Sequence, residues 1–352
     1  MSTITLTPPT HSPLPYPIVI GKGVMNDLPS IIRRGILPAA GPVDRIVVLY
    51  DRRIEDLAKR VASIASTKHL IPVESGEHSK SLKELDRLAT ELLKIGASRA
   101  TILITVGGGM MTDLGGFLAS IFMRGIRVIH IPTSMLAMVD AAIGGKTAVE
   151  VGVVKNVLGT IHHPSAIICD IDALAKLPET QLAEGIVEVV KEAAMLDAKT
   201  FDWLEKAMPK ILGREEEELT RCIYEGAKMK SVVVQADDRD ASHRHFLNFG
   251  HTIGHAVEAY SKFAISHGKA VSIGMAYEMK IAATNGADRV IALLKLMKMP
   301  LEIPSDFQPA ELWKIMQNDK KKKAGVVRMF VPSTIGKGGP RPLTEKQFLA
   351  SI

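Results

Sequence analysis

Apolar residues in the first half of the chain fall in short unbroken runs, whereas those in the second half recur every three or four positions. Arg45-Ile46-Val47-Val48-Leu49-Tyr50-Asp51, Thr101-Ile102-Leu103-Ile104-Thr105-Val106 and Ile126-Arg127-Val128-Ile129-His130-Ile131 read as strands rich in β-branched residues. Between the first two, Leu82, Leu85, Leu88, Leu92 and Leu93 give helical spacing from Ser81 to Ile95. Strands that are apolar throughout are buried on both faces, so this pattern predicts a parallel sheet covered by helices. Beyond Leu174 the strand signals fade. Pro178–Leu196, Thr200–Met208, Glu215–Ala236, His251–Tyr260 and Val271–Ala287 are rich in Ala, Glu, Leu, Met and Lys at helical spacing. A chain of 352 residues exceeds one comfortable core. The predicted organisation is an α/β Rossmann-like parallel-sheet domain over residues 1–174 and a mostly α-helical domain over 175–352.

In an open parallel sheet, ligands bind beyond the carboxyl ends of the strands. One predicted strand stops at Gly107-Gly108-Gly109 and another at Pro132-Thr133-Ser134. A glycine turn between a buried strand and a helix lets backbone N–H groups approach a diphosphate, and the helix N-terminus adds partial positive charge. Gly107-Gly108-Gly109-Met110-Met111-Thr112-Asp113 has that context without being a GxGxxG fingerprint; a tight turn with close helix packing would leave the same trace. Asp51 and the loop Ser75-Gly76-Glu77-His78-Ser79-Lys80 are candidates for the ribose and adenine ends of the same nucleotide.

The helical half carries the densest chemistry. Five of the eleven histidines lie between His243 and His267. His251 and His255 are one helical turn apart, and His267 is expected to return beside them from a following loop. An exposed pair at this spacing would merely be solvated. Here Leu247, Phe249, Ile253, Ala256 and Val257 surround it, and an unpartnered imidazole on a half-buried face is costly, so a metal site is the better reading.

Composition narrows the chemistry further. The two cysteines, Cys169 and Cys222, are far apart and lack CxxC spacing, which argues against a disulfide framework or a thiolate site and leaves His and carboxylate to hold any transition metal. A net charge of +6 and a pI near 9.1 suit nucleic acid or a small anionic substrate equally. The run Lys320-Lys321-Lys322-Lys323 has no interleaved aromatics for base stacking, and aromatics are 5% of the chain, so no nucleic-acid partner is expected. No apolar run approaches the roughly 18 residues that span a bilayer, and Met1 to Pro9 lacks a basic start before an apolar core. The expected location is cytoplasmic, with no membrane partner.

Taken together, these segments resemble the 3-dehydroquinate synthase family of sugar-phosphate cyclases. The resemblance runs from Gly21 to about Gly336, and its pieces come in family order: Gly76-Glu77-x-x-Lys80, the triple glycine with Asp113, Met123-Arg124-Gly125, Pro132 to Asp140, Gly144-Gly145-Lys146-Thr147, and Lys155-Asn156. The helical half adds Glu188-Val189-Val190-Lys191, Arg244, Asn248-Phe249-Gly250-His251, Gly254-His255-Ala256, His267-Gly268 and Asp319-Lys320-Lys321. The wording is closest to the synthase domain that opens the fungal pentafunctional shikimate-pathway enzyme.

The resemblance implies NAD and a zinc ion, for which cobalt could substitute, as cofactors. It implies Glu188, His251 and His267 as metal ligands, with His255 handling protons rather than binding metal. Nucleotide positions fall on Asp51, Glu77, Lys80, Gly108, Gly109, Met110, Asp113, Thr133, Ser134, Leu136, Asp140, Lys146 and Lys155. Asp140 is expected where nicotinamide, metal and substrate meet. The anionic sugar-phosphate substrate needs fixed cations, and the family's positions for them are Arg124, Lys146, Lys191, Lys230, Arg244 and Lys320, with Asn156 and Asn248 as amide donors. The implied reaction takes 3-deoxy-D-arabino-heptulosonate 7-phosphate to 3-dehydroquinate and phosphate by transient oxidation, β-elimination, re-reduction and intramolecular aldol closure. A homodimer is also implied.

Some positions depart from the family. Thr112 stands where glycine is usual, Lys269 where glutamate is usual, and Arg53 where asparagine is common near Asp51; Lys176 and Thr180-Gln181 also differ. Thr112 is expected to crowd a diphosphate if the backbone must come close, and Lys269 to weaken metal binding if it points inward. Three rival readings share the sequence pattern: another sugar-phosphate cyclase, a metal-dependent polyol or glycerol-phosphate dehydrogenase, and a non-catalytic relative acting as an interaction module.

Overall fold

The computed structural model describes residues 4–6, 16–33, 43–152, 154–237, 243–319 and 327–352. The chain forms two compact units, Met1–Pro178 with Lys230–Arg239, and Glu179–Met229 with Asp240–Ile352. The first unit thus ends four residues past Leu174 and takes in a later segment that lies, in sequence, among the helices.

The first unit is built on a seven-stranded sheet. Its strands are β1 (Ile4–Leu6), β2 (Ile18–Gly21), β3 (Ile46–Asp51), β4 (Leu70–Val73), β5 (Ile102–Gly107), β6 (Arg127–Pro132) and, after a separate hairpin of β7 (Lys146–Val151) and β8 (Val154–Ile161), β9 (Ala166–Asp170). The spatial order is β1-β2-β9-β6-β5-β3-β4. All neighbours are parallel except β1 and β2. Short α1 (Leu28–Ile31) and α2 (Glu55–Ile64) lie over one face, where Val48, Tyr50, Ile102, Ile104, Ile129 and Ile131 pack with Leu28, Ala58, Val61 and Ala62. On the other face Val47, Leu49, Leu103 and Val128 pack with α2's successors α3 (Leu82–Lys94) and α4 (Gly109–Ile121) through Leu85, Leu88, Leu92, Leu114 and Phe117. Side chains alternate across each strand, so unbroken apolar runs are what a sheet covered on both faces requires.

The chain proceeds from β3 outward to β4, then returns to β5 on the opposite side of β3. The strand order therefore reverses between β3 and β5, and such a switch opens a crevice beyond their carboxyl ends. Asp51 closes β3 and Gly107 closes β5, and the two flank that crevice.

The second unit is helical: α5 (Glu179–Leu196), α6 (Ala198–Leu212), most of α7 (Glu216–Ala236), α8 (His251–Tyr260), α9 (His267–Ala282), α10 (Ala287–Leu296), α11 (Pro309–Asp319) and α12 (Glu345–Leu349). From Ile186 to Met195 every residue of α5 is buried, which makes it the central helix. Two sequence expectations change here. His267 is the first residue of α9, following Ser266, rather than part of a loop. The helix expected over Val271–Ala287 ends at Ala282 because Ala283 turns left-handed (φ 51°), and α10 starts anew after Gly286. A β-hairpin of β10 (Val327–Thr334) and β11 (Lys337–Leu343) also lies in this half, where strands were not expected.

Helices α8 and α9 cross at contact distance. A side chain at Gly254 would come within 2.9 Å of the Ala270 carbonyl oxygen, and one at Gly274 would run into the Gly250 carbonyl. Gly274→Ala is therefore expected to overpack this crossing by about 1–3 kcal/mol. Thermal unfolding should show a Tm several degrees below that of the parent chain, and an unchanged Tm would mean that the crossing has slack.

Candidate metal centre and nucleotide site

Three helices deliver the histidine cluster and its carboxylate. Glu188 sits mid-way along the buried α5, His251 opens α8 and His267 opens α9. Their ligand atoms all lie within 4.8 Å of one another. Glu188 is 1% exposed, and its Oε2 accepts a hydrogen bond from Lys191 Nζ one turn along the helix. Its Oε1 is buried with no hydrogen bond, 3.6 Å from His267 Nε2. The His251 Nδ1 lies 3.0 Å from the Phe249 carbonyl; as donor to it, the ring presents Nε2 as its ligand atom. The His267 Nδ1 likewise lies 3.3 Å from Glu258 Oε2, leaving Nε2 toward Glu188.

A buried carboxylate oxygen without a hydrogen bond is costly unless a cation meets it, here the protonated His267 ring or a metal ion that displaces its proton. Two imidazole nitrogens and that oxygen form the His₂Glu set of catalytic zinc sites, so the residues fit a divalent ion. A second group, His255, Glu258 and His267, is almost as compact. Glu258 is already engaged by the His267 Nδ1, so it orients the ring rather than sharing an ion through it. The His255 ring stands beside the centre, 5.1 Å from the His251 ring and 6.1 Å from that of His267, centroid to centroid.

Charge within the cluster is balanced by neighbours. Burial alone would raise the Glu188 carboxyl, but Lys191 and the two histidines hold it well below its ordinary value. Burial and Lys191 push His251 well down, so its ring is neutral. Burial would lower His267 too, yet Glu188 and Glu258 outweigh it and push the ring up to about 10.

Sequence reasoning missed the groups that set this geometry. Glu278, fully buried on α9, accepts from the Gly250 and Ile253 N–H groups at 2.9 and 3.1 Å and so satisfies donors at the start of α8. Its signal is faint, a glutamate amid apolar residues of a helix. Glu258 was detectable as the residue one turn after His255 on the same face. Glu184 answers the charge reversal at position 269: its Oε1 lies 3.9 Å from Lys269 Nζ and accepts from Ser266 Oγ at 2.7 Å. Lys269 thus leans toward Glu184, not into the metal cluster.

The nucleotide candidates gather at the β3–β5 crevice of the first unit. At Gly107, the position of an added Cβ would fall 3.6 Å from Asp51 Cβ; at Gly108, 3.3 Å from Ser134 Oγ. The Thr133 N–H donates to the Gly107 carbonyl at 2.9 Å. The glycine turn, Asp51 and Thr133-Ser134 therefore form one patch around the start of α4, with Met110 on its first turn and Leu136 half-buried nearby in sequence. Lys80, 3% exposed, reaches Asp113 Oδ2 at 2.6 Å and Glu77 Oε1 at 3.4 Å, and also donates to Asn156 Oδ1. Burial pushes the Asp113 carboxyl up to about 6 against the pull of Lys80. Asn156 thus joins the Glu77, Lys80 and Asp113 network, a grouping its sequence position did not suggest. Thr112 is buried and its hydroxyl donates to the Gly109 carbonyl at 2.9 Å, along its own helix.

Asp140 lies in a single π-helical turn, Ala137–Ala141, and pairs with Lys230. Arg124, at a left-handed φ of 66°, and Lys146, at the start of β7, are exposed, while Lys155 and Asn248 are half-buried. The side chain of Arg244, and Lys320 with the rest of its lysine run, lie outside the described residues. Cys169 and Cys222 are buried free thiols. Among the described residues, no helix is long and apolar enough to cross a membrane.

Comparison with known proteins gives matches along most of the chain. Residues 70–184 match the family model for the 3-dehydroquinate synthase N-terminal region and residues 185–322 that for the C-terminal region. The 3-dehydroquinate synthase of Blochmanniella floridana is 37% identical over 333 residues, covering 92% of this chain and 91% of the relative. That of Sulfurisphaera tokodaii is 38% identical over 329 residues, covering 91% and 90%. Among solved structures, 2-deoxy-scyllo-inosose synthase complexed with carbaglucose-6-phosphate, NAD⁺ and Co²⁺ superposes with a TM-score of 0.88 at 24% identity, over 98% of both chains. ValA, a 2-epi-5-epi-valiolone synthase from Streptomyces hygroscopicus subsp. jinggangensis 5008 with NAD⁺ and Zn²⁺ bound, gives 0.83 at 25% identity over 96% and 95%.

The His267 ring has to be neutral to offer Nε2 to a metal, while His251 and Glu188 are already in their ligating forms. Metal binding near pH 7.5 is therefore expected to release about one proton, with the apparent affinity rising about tenfold per pH unit until pH approaches 10. Calorimetry of zinc binding in buffers of different ionisation enthalpy measures the count, and a value near zero would contradict this charge assignment. Without metal the sign is opposite. The raised His267 stabilises the fold fully below its ordinary 6.5, and that contribution fades as pH climbs through about 10.

Proposed function

The chain belongs to the 3-dehydroquinate synthase family, and from that premise we propose that it converts 3-deoxy-D-arabino-heptulosonate 7-phosphate to 3-dehydroquinate and inorganic phosphate, with NAD⁺ and zinc as cofactors. The observation that carries this reading is the convergence of Glu188, His251 and His267, with one buried carboxylate oxygen left for a cation, in a chain whose relatives bear that name. Solved cyclases of the same fold carry NAD⁺ with Co²⁺ or Zn²⁺, and one of them a carbocyclic sugar phosphate. That supports NAD⁺, zinc with cobalt as substitute, and an anionic sugar phosphate for this chain.

When bound, NAD⁺ supplies a reversible hydride acceptor and zinc a Lewis acid for adjacent substrate hydroxyls. The chain's own residues do the rest. The N–H groups at Gly108 to Met110, at the start of α4, would receive the diphosphate, and Lys80 holds Asp113 on the next turn of that helix. Lys146, Lys191, Lys230, Arg124, Arg244 and Lys320 supply the positive charge that a carboxylate and a phosphate require, with Asn156 and Asn248 as amide donors. Lys191 also keeps Glu188 ionised. His255, beside His251 and His267 but outside the ligand set, is the group for moving a proton as phosphate leaves.

The working form is a homodimer in the cytoplasm. Val157, Leu158 and Ile161 on β8 are exposed apolar side chains of a hairpin strand, a surface suited to a second copy. Two buried free thiols suit a reducing compartment.

The test supplies the heptulosonate phosphate, NAD⁺ and zinc, and follows phosphate release and NADH absorbance together. Phosphate is expected without accumulating NADH, and His251→Ala should lower the rate by more than about a hundredfold. Accumulating NADH would identify a dehydrogenase. Phosphate from other sugar phosphates alone would identify a sister cyclase, and a folded protein binding neither NAD⁺ nor zinc would be the non-catalytic relative.

A further inference from the structure

The acid that closes β3 is not a bare carboxylate. Asp51 Oδ1 accepts from the Arg53 backbone N–H at 2.9 Å, from Arg53 Nε at 3.2 Å and from Ser75 Oγ, while Oδ2 accepts from Arg53 Nη2 at 2.7 Å. The carboxylate is almost fully buried and ionised, and the guanidinium two residues on neutralises it. Arg53 spends one edge of its fork on Asp51. The opposite edge, at Nη1, turns away from that carboxylate in a side chain that is 68% exposed. Arg52, next in the chain, is similarly exposed and lies 3.0 Å from an equally exposed Glu74.

In dinucleotide folds, an acid at the strand end beside the glycine turn receives the hydroxyls of the adenosine ribose. Its negative charge is also what turns away a 2′-phosphate, and a nearby arginine is what admits one. Here the acid's charge is matched, and an arginine fork, whose planar donors suit phosphate oxygens, stands on its outer side. The corner lies against the glycine turn, since Asp51 Cβ is 3.6 Å from where a Cβ on Gly107 would be.

We propose that this corner of the nucleotide site binds a 2′-phosphorylated adenosine, so that the chain accepts NADP⁺ as well as NAD⁺, with Arg53 as the residue that admits the extra phosphate and Arg52 as the second cation. The proposal rests on the reading of the β3–β5 crevice as the NAD⁺ site and extends it to cofactor choice. It also gives Arg53 a role where it replaces the common asparagine.

The test titrates the zinc-loaded full chain with NAD⁺ and NADP⁺ by calorimetry, in parallel with Arg53→Asn and Arg53→Lys. The parent chain is expected to bind NADP⁺ within about tenfold of NAD⁺, and Arg53→Asn to shift the preference toward NAD⁺ by about tenfold or more. Arg53→Lys, which keeps the charge but loses the fork, should fall between the two. Raising salt should weaken NADP⁺ more than NAD⁺. Strong NAD⁺ binding with NADP⁺ more than about tenfold weaker, or a preference that Arg53→Asn does not move, would overturn the proposal and leave the NAD⁺ reading standing. Binding of neither nucleotide would overturn both.

Discussion

A carboxylate buried in the middle of a helix that is itself buried on every side has to be met by positive charge, and much of the second unit is arranged around meeting it. Glu188 is reached from within its own helix by Lys191 and from two other helices by His251 and His267. Bringing three helix segments to one carboxylate demands close backbone approach, which explains the small residues around it. Gly250, Gly254 and Gly274 let α8 and α9 touch, and Gly268 lets the start of α9 come within 2.7 Å of the Glu184 backbone at the position of a Cβ. Glu278 then satisfies the N–H groups that the start of α8 would otherwise leave buried without an acceptor. Glu188, His251 and His267 are held by packing and by hydrogen bonds to Lys191, Phe249 and Glu258, so the site we propose for a metal is shaped by the protein itself.

The first unit solves a related problem with backbone rather than charge. An anion brought to the start of α4 needs bare N–H groups, and so a turn without side chains. The same absence allows packing: Gly115 lies against Thr105 and Gly116 against Thr147, where added methyl groups would collide. Of the two explanations offered by the sequence for its glycines, tight helix packing holds at Gly115 and Gly116, while phosphate approach at the turn before them belongs to the proposed nucleotide site.

What was legible in the sequence was what burial alone dictates. β3, β5 and β6 could be located because a strand covered on both faces must be apolar at every position, and α8 because its histidines and apolar residues keep a 3.6-residue period. What escaped depended on tertiary partners. The start of α9 is hidden because His267-Gly268 lacks a helix-former's pattern, and its glycine is there for Glu184. β11 is hidden by Gly338, Gly339, Pro340 and Pro342, residues that disfavour strands and are tolerated in an edge strand of a two-stranded hairpin. Glu258 and Glu278 look like ordinary helix acids until the helices are placed against each other.

Three of the departures from the family's usual residues, at Lys269, Thr112 and Arg53, share one physical form. Each adds charge or bulk, and each is taken up by a group close by. Lys269 leans to Glu184, which Ser266 also engages; Thr112 turns its hydroxyl back to Gly109; Arg53 folds onto Asp51. The first two absorptions are complete in themselves and leave the neighbouring site as it was. The third is not, because a guanidinium has five N–H donors and the Asp51 carboxylate takes those of one edge. A charge that is locally balanced but directionally unspent, at the corner of a nucleotide site, changes what the site can bind rather than whether it binds. That asymmetry is why Arg53 bears on the cofactor choice we propose, while Lys269 and Thr112 are answered by Glu184 and Gly109.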